Sequence, residues 1–142
     1  MTDIKKKFIG TWSLESVIVK HGEQLIYPFG KNPKGVLFYD EKHMSVQIMM
    51  PIDKPITEER KNQLKLEDLA HTLKTIGYMG YFGTYDIDEE NGEVIHHTEG
   101  AITQNIAGKD EIRKFRFDPS AGSEECLILS KGNMELTWRK LV

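Results

Sequence analysis

Arg113, Phe115 and Phe117 alternate along a run whose intervening positions carry Lys114 and Arg116. In a β-strand that spacing puts the two phenylalanines on one face, and the more apolar face turns inward, so the guanidinium of Arg113 is carried inside with them. The run Tyr78 to Ile87 reads the same way, with Met79, Tyr81, Tyr85 and Ile87 sharing a face with Gly83 and two phenols pointing in. From Glu93 to Ile102 the sets Val94, His96, Thr98, Ile102 and Ile95, His97, Glu99, Ala101 are nearly balanced in hydrophobicity, and His96 joins the interior if the first set faces it. Arginine, tyrosine and histidine among Phe and Met side chains have the make-up of a ligand pocket, which is mostly apolar with a few placed polar groups.

A buried guanidinium needs a carboxylate, phenols and carbonyls, or an anionic guest. The alternative is that Arg113 closes an internal network that only holds the fold shut. His96 with Tyr81, Tyr85 or Arg113 has the chemistry to move a proton on a bound molecule, because histidine titrates near neutrality and a guanidinium stabilises an enolate or carboxylate. Those residue types suffice for a cofactor-free isomerisation, cyclisation or dehydration with His96 as base, and equally for binding alone. His96-His97 is no metal site by itself, since neighbours in a strand point to opposite faces; His97 and Glu99 share one, but nothing has zinc-ligand spacing, and neither metal nor cofactor is expected. Ser45, Ser130 and Cys126 lack a nucleophile elbow or base partner. Gly80 and Gly83, interleaved with tyrosines, suit a bulge or bend in a strand better than a phosphate loop, and Met44, Met49 and Met50 suit an adaptable wall.

The elements that would position these residues are predicted strands joined mostly by short turns. They run from about Gly10 to Lys20, Leu25 to Tyr27, Val36 to Tyr39, His43 to Met50, Tyr78 to Ile87, Glu93 to Ile102, Glu111 to Phe117, Glu125 to Ser130 and Met134 to Leu141. Asn91-Gly92 is a hairpin signal. Pro51 to Gly77 breaks the alternation: Thr57 can cap a turn holding Glu58 and Glu59, and Leu66, Leu69, Leu73 and Ile76 fall on one helical face. One helical insertion at about residues 57–77 is predicted, either a lid over an open barrel mouth or packed on the outer wall. Short connections argue for an all-β, up-and-down antiparallel barrel of eight to nine strands. Gly10-Thr11-Trp12 opens the first strand and Trp138-Arg139-Lys140 lies in the last, and closure requires the two ends to pair.

The chain of 142 residues, 39% hydrophobic, has room for one domain over 1–142. Its net charge of −3, spread without a basic face, makes nucleic acid and anionic membrane poor partners. No apolar run approaches the roughly 18 residues of a membrane span, and Lys5-Lys6-Lys7 is followed by too little apolar sequence for a signal peptide. The single Cys126 fits a reducing compartment. A cytoplasmic protein is expected.

Taken in order, Gly10-Thr11-Trp12, Tyr27-Pro28-Phe29-Gly30, Gly35-Val36-Leu37-Phe38-Tyr39, Tyr81-Phe82-Gly83-Thr84-Tyr85, His96-His97, Arg113 with Phe115, and Leu136-Thr137-Trp138 resemble the pattern of the small lipocalin-like domain proteins of bacteria and fungi. The resemblance implies a calycin-type β-barrel that binds or transforms a small hydrophobic molecule. Two departures stand out: the family's closing Trp-x-Arg reads Trp138-Arg139-Lys140, so Lys140 must take the arginine's place on the tryptophan, and its Pro-Asn-Trp segment reads Gln104-Asn105-Ile106. The expected reading is a barrel binding a small, mostly apolar molecule with a carboxylate or carbonyl, lined by Tyr39, Tyr81, Tyr85, His96, Arg113 and Phe115 and closed by Trp12, Trp138, Arg139 and Lys140. A third reading is a filled, structural barrel, which an interior cavity below about 100 Å³ would favour.

Overall fold

A computed structural model describes residues 2–49, 58, 78–102, 107–118 and 125–141. Its elements are helix α1 (Asp3–Phe8) and strands β1 (Gly10–His21), β2 (Gln24–Ile26), β3 (Lys34–Tyr39), β4 (His43–Met49), β5 (Tyr78–Asp88), β6 (Glu93–Ala101), β7 (Asp110–Phe117), β8 (Cys126–Lys131) and β9 (Met134–Lys140). Each neighbouring pair is antiparallel, and the order β1-β3-β4-β5-β6-β7-β8-β9 closes because β9 also pairs with β1, leaving β2 as an extra strand on the upper part of β1. The result is an eight-stranded antiparallel barrel, the predicted fold class. Trp12 stands opposite Lys140 and Leu14 opposite Trp138, so the two ends of the sequence are ladder partners.

Period-two alternation sets the inside. On β7 Glu111, Arg113, Phe115 and Phe117 turn inward while Asp110, Ile112, Lys114 and Arg116 are exposed. Tyr81, Gly83 and Tyr85 are buried on β5, as are Val94, His96 and Thr98 on β6. One expectation fails. The pairing shifts between Phe82 opposite Gly100 and Gly83 opposite Thr98, so Glu99 is an extra residue and the faces exchange beyond it. Ala101 therefore packs against the core beside Tyr81, and Ile102 borders a depression on the outer wall, the reverse of the uninterrupted alternation read from sequence. Gly83 makes the bulge possible, because a Cβ there would collide with the backbone carbonyl of His97.

The second unexpected element is α1. Thr2 Oγ1 accepts the Lys5 N–H at 3.2 Å, Asp3 sits in the first turn and Lys5, Lys6 and Lys7 in the last, which complements the helix macrodipole. The helix delivers Phe8, fully buried, to one end of the barrel, where its ring meets Tyr39, Phe115 and Phe117 edge-on at 5.3, 5.0 and 5.3 Å. That end is plugged. Met49, Tyr78 and Ala101, at the end of β4, the start of β5 and the end of β6, lie toward the opposite end. The helical insertion expected at 57–77 lies outside the described residues except for Glu58, and Gln104-Asn105-Ile106 lies outside them altogether.

Candidate functional site

Above the Phe8 plug, four strands (β3, β5, β6 and β7) bring a line of polar side chains into the apolar interior. His96, 1% exposed, holds Tyr39 Oη at 2.6 Å from Nε2 and Tyr81 Oη at 2.7 Å from Nδ1. A neutral imidazole has one N–H and one acceptor nitrogen, so one phenol donates to the ring and the other accepts from it. Burial keeps the ring neutral: desolvation first, then the positive charge of Arg113, pull its pKa down to about 3. Burial also pushes the Tyr39 hydroxyl well up and the Tyr81 hydroxyl up, the latter against the opposing pull of the Arg113 guanidinium beside it. Both phenols and the imidazole are thus uncharged at neutral pH.

Arg113 ends this line without full compensation. Glu111 is the carboxylate that pairs with it, and its Oε2 is 3.8 Å from Arg113 Nη2 but only 3.1 Å from Lys131 Nζ. Among the described residues, Arg113 Nη1, Trp138 Nε1 and Thr98 Oγ1 are buried with no hydrogen-bond partner. Buried polar groups in folded proteins are nearly always paired, so such orphans call for an explanation. Arg113 and Trp138 both wall an interior cavity together with Tyr81, His96, Met79 and aliphatic side chains. This cavity encloses about 20 Å³, the space of about one water. Two larger depressions, of about 320 and 410 Å³, lie on the outer wall either side of Ser45. They are open to solvent, and none of the buried unpartnered atoms belongs to a residue that lines them, whereas Arg113 and Trp138 line the smaller space.

The structure therefore brings Tyr39, His96, Tyr81 and Arg113 together, and divides off the other expected contacts. Tyr85 donates to the Asp40 carbonyl at 2.6 Å and lies under Lys5, and Phe115 packs on Phe8 and Phe117, so both belong to the plugged end. At the closure, Lys140 Nζ stands 5.3 Å over the Trp12 ring, 3.2 Å from Glu125 and 3.3 Å from the Lys7 carbonyl, while Arg139 faces outward to Glu15 at 2.9 Å. Glu111 and the cavity-facing Trp138 lie outside the expected binding set, although the alternation of β7 puts Glu111 on the same face as Arg113. Adjacent His97 faces out between Asp110 at 2.7 Å and Asp86 at 2.8 Å, and these hydrogen bonds raise its pKa. Among the described residues no group of three or more His, Cys, Asp or Glu is arranged to hold a metal, and no helix is long and apolar enough to cross a membrane.

A family model described as a lipocalin-like domain matches residues 9–141, from just before the Gly-x-Trp of β1 to just past β9. The chain belongs to the lipocalin-like domain family. No curated protein matches it. Membership accounts for the closed barrel with its first and last strands paired, and a lipocalin-like barrel is a small-molecule-binding architecture. In this lipocalin-like domain the arginine expected on the opening tryptophan is a lysine, and Lys140 occupies that place over Trp12.

Proposed function

We propose that this lipocalin-like barrel binds a small, mostly apolar molecule in its interior, with a hydrogen-bond-accepting group turned toward Arg113. The observation that carries the reading is the pair of buried donors without acceptors, Arg113 Nη1 and Trp138 Nε1, on residues that face one cavity. A barrel filled only to hold its shape would spend such donors internally, since an unpaired buried polar group costs about 1–3 kcal/mol. The cavity's volume alone favours the filled barrel, because about 20 Å³ is far below the roughly 300 Å³ of a preformed ligand pocket. A guest must therefore displace wall side chains as it enters. Met79, unbranched and partly buried on the wall, is the side chain that repacks at least cost.

Tyr39, Tyr81 and His96 form the polar floor of the site in this reading, and Phe115 and Tyr85 support it from the plugged end. His96 as a catalytic base finds less support: both its nitrogens are engaged, and a pKa lowered to about 3 makes it a weak proton acceptor at neutral pH. The lone Cys126, buried on β8, and the net charge of −3 support a cytoplasmic setting with neither nucleic acid nor membrane as partner. Native mass spectrometry of the protein as purified tests the proposal. A retained small molecule that quenches Trp138 fluorescence is the expected result; a bare mass, together with unchanged fluorescence across a panel of apolar acids, esters and ketones, leaves the filled barrel standing.

A further inference from the structure

We infer that the polar end of the interior cavity is a carboxylate subsite, in which Arg113 and the indole N–H of Trp138 together receive the guest's anionic head. This rests on the guest-binding reading above and adds to it the chemistry of the head group and a second contact residue.

The two tryptophans make the contrast. Trp12 Nε1 donates to the Phe8 carbonyl at 2.9 Å, so the fold satisfies one indole. Trp138 is just as buried, 1% exposed, yet its N–H has no acceptor and its side chain walls the cavity. An indole N–H and a guanidinium only donate. The Tyr81 hydroxyl takes one hydrogen bond from the guanidinium; what Arg113 Nη1 and the Trp138 N–H lack is an acceptor, and an ammonium or apolar head would leave both unsatisfied.

Charge narrows the acceptor further. Arg113 is 11% exposed in its side chain, and Glu111 lies closer to Lys131 than to it. Lys131 is more than half exposed and keeps its own hydration, whereas Arg113 cannot. The remaining polar groups of the cavity are neutral, because burial holds His96 unprotonated and Tyr81 protonated. The interior thus has a positive charge in partial deficit of a counter-ion. A carboxylate supplies that charge and has two oxygens, one for each donor, in the charge-assisted geometry guanidinium groups favour. A hydroxyl or ketone supplies an acceptor without the charge.

Hexanoate and hexan-1-ol, matched in their apolar tail, test this by titration into protein with ¹⁵N-labelled tryptophan, read by the two indole N–H resonances. Hexanoate is expected to move the Trp138 resonance and leave that of Trp12, and to bind at least about tenfold tighter than hexan-1-ol, as a charged hydrogen bond allows. Arg113→Gln should weaken hexanoate by about 10–100-fold and hexan-1-ol by less than about threefold, and Trp138→Phe should weaken hexanoate by about 3–10-fold. If Arg113→Gln does not fold, Arg113→Lys keeps the charge and must keep the preference for hexanoate; equal binding of the two probes to it overturns the inference. Equal binding to the unaltered protein, with the Trp138 resonance unmoved, also overturns the carboxylate subsite while leaving interior binding intact. Binding of neither probe removes both.

Discussion

Tyr39 and His96, 57 residues apart in the chain, meet at 2.6 Å across the barrel interior. Burial rather than that contact sets the ionisation of the site, since desolvation and the nearby Arg113 charge disfavour an added proton on an imidazole held between Tyr39 and Tyr81. His96 and His97 are consecutive, yet one titrates low and the other high, because one strand position turns them to opposite sides of the wall.

The pH dependence of folding follows. His96 binds a proton near pH 6.5 when unfolded and only near 3 when folded, so stability falls as pH drops from about 6.5 toward 3, by at most about 1.4 kcal/mol per unit. His97 acts in the opposite sense: its raised pKa gives stability that is present below about 6.5 and lost as pH rises through the folded value. Carboxylates such as Asp40, Asp88 and Glu135 are held below their usual range by hydrogen bonds, so their contribution is lost only as pH falls through those lowered values. Urea denaturation should therefore give a maximum near pH 6.5 and a decline to pH 5 that His96→Gln flattens. An NMR titration in which the His96 ring protonates near 6.5 would contradict the enclosure described above.

Phe8 is the second lever. Its ring is fully buried against three aromatic side chains from β3 and β7, on a six-residue helix too short to stand alone. Phe8→Ala should cost about 3–5 kcal/mol, the range for emptying a packed aromatic site, in urea or thermal unfolding. It should also release the Trp12 indole, whose acceptor is the Phe8 carbonyl, giving a red-shifted fluorescence. A loss under about 1 kcal/mol would mean that α1 does not plug the barrel.

Gly83 offers a test of the bulge. Alanine there would drive its Cβ into the His97 carbonyl, and a backbone atom in a ladder cannot swing aside as a side-chain tip can. The strands must part or the bulge must migrate. Gly83→Ala should destabilise by about 1–3 kcal/mol, as overpacking does, and should move His97 away from Asp86 and Asp110, lowering its pKa toward the ordinary value. An alanine variant as stable as the parent, with His97 unshifted, would place the extra residue elsewhere than Glu99.

How far such features could be read in advance depended on what each one needed. On β7 the strand carries no interruption, so two-residue alternation was enough to send Arg113, Phe115 and Phe117 inward. On β6 it failed past Thr98, since a bulge is a pairing event between two strands and Gly83 announced it only as a glycine in a strand. Alternation also gives no height along the barrel axis. Tyr85 and Phe115 share the interior face with Tyr81 and Arg113 but land at the plugged end, which depends on register and on α1. Thr2, Asp3 and the lysines carry capping and dipole signals, but six residues are too few to signal a helix by themselves, and Lys5-Lys6-Lys7 invites comparison only with the head of a signal peptide. Whether the Trp138 N–H finds an acceptor is a matter of its neighbours in space, and no local pattern records it.

Lys140 stands where the resemblance leads us to expect arginine, and the closure can be tested at that position. Its ammonium faces the Trp12 ring at 5.3 Å and also reaches Glu125 and the Lys7 carbonyl, linking β9, the stretch before β8 and α1 in one contact. The side chain is 20% exposed, so the ion is largely sheltered and the ring interaction is worth more than at an open surface. Lys140→Met keeps the stem and removes the charge, and should lower stability by about 1–2 kcal/mol, with the loss shrinking little in high salt because the pair is sheltered. Lys140→Arg should keep or raise stability, since a guanidinium stacks on indole and can hold Glu125 with a second hydrogen bond. If methionine matches the parent and arginine destabilises, the lysine is a spacer on Trp12 and its charge contributes nothing to holding the last strand on the first.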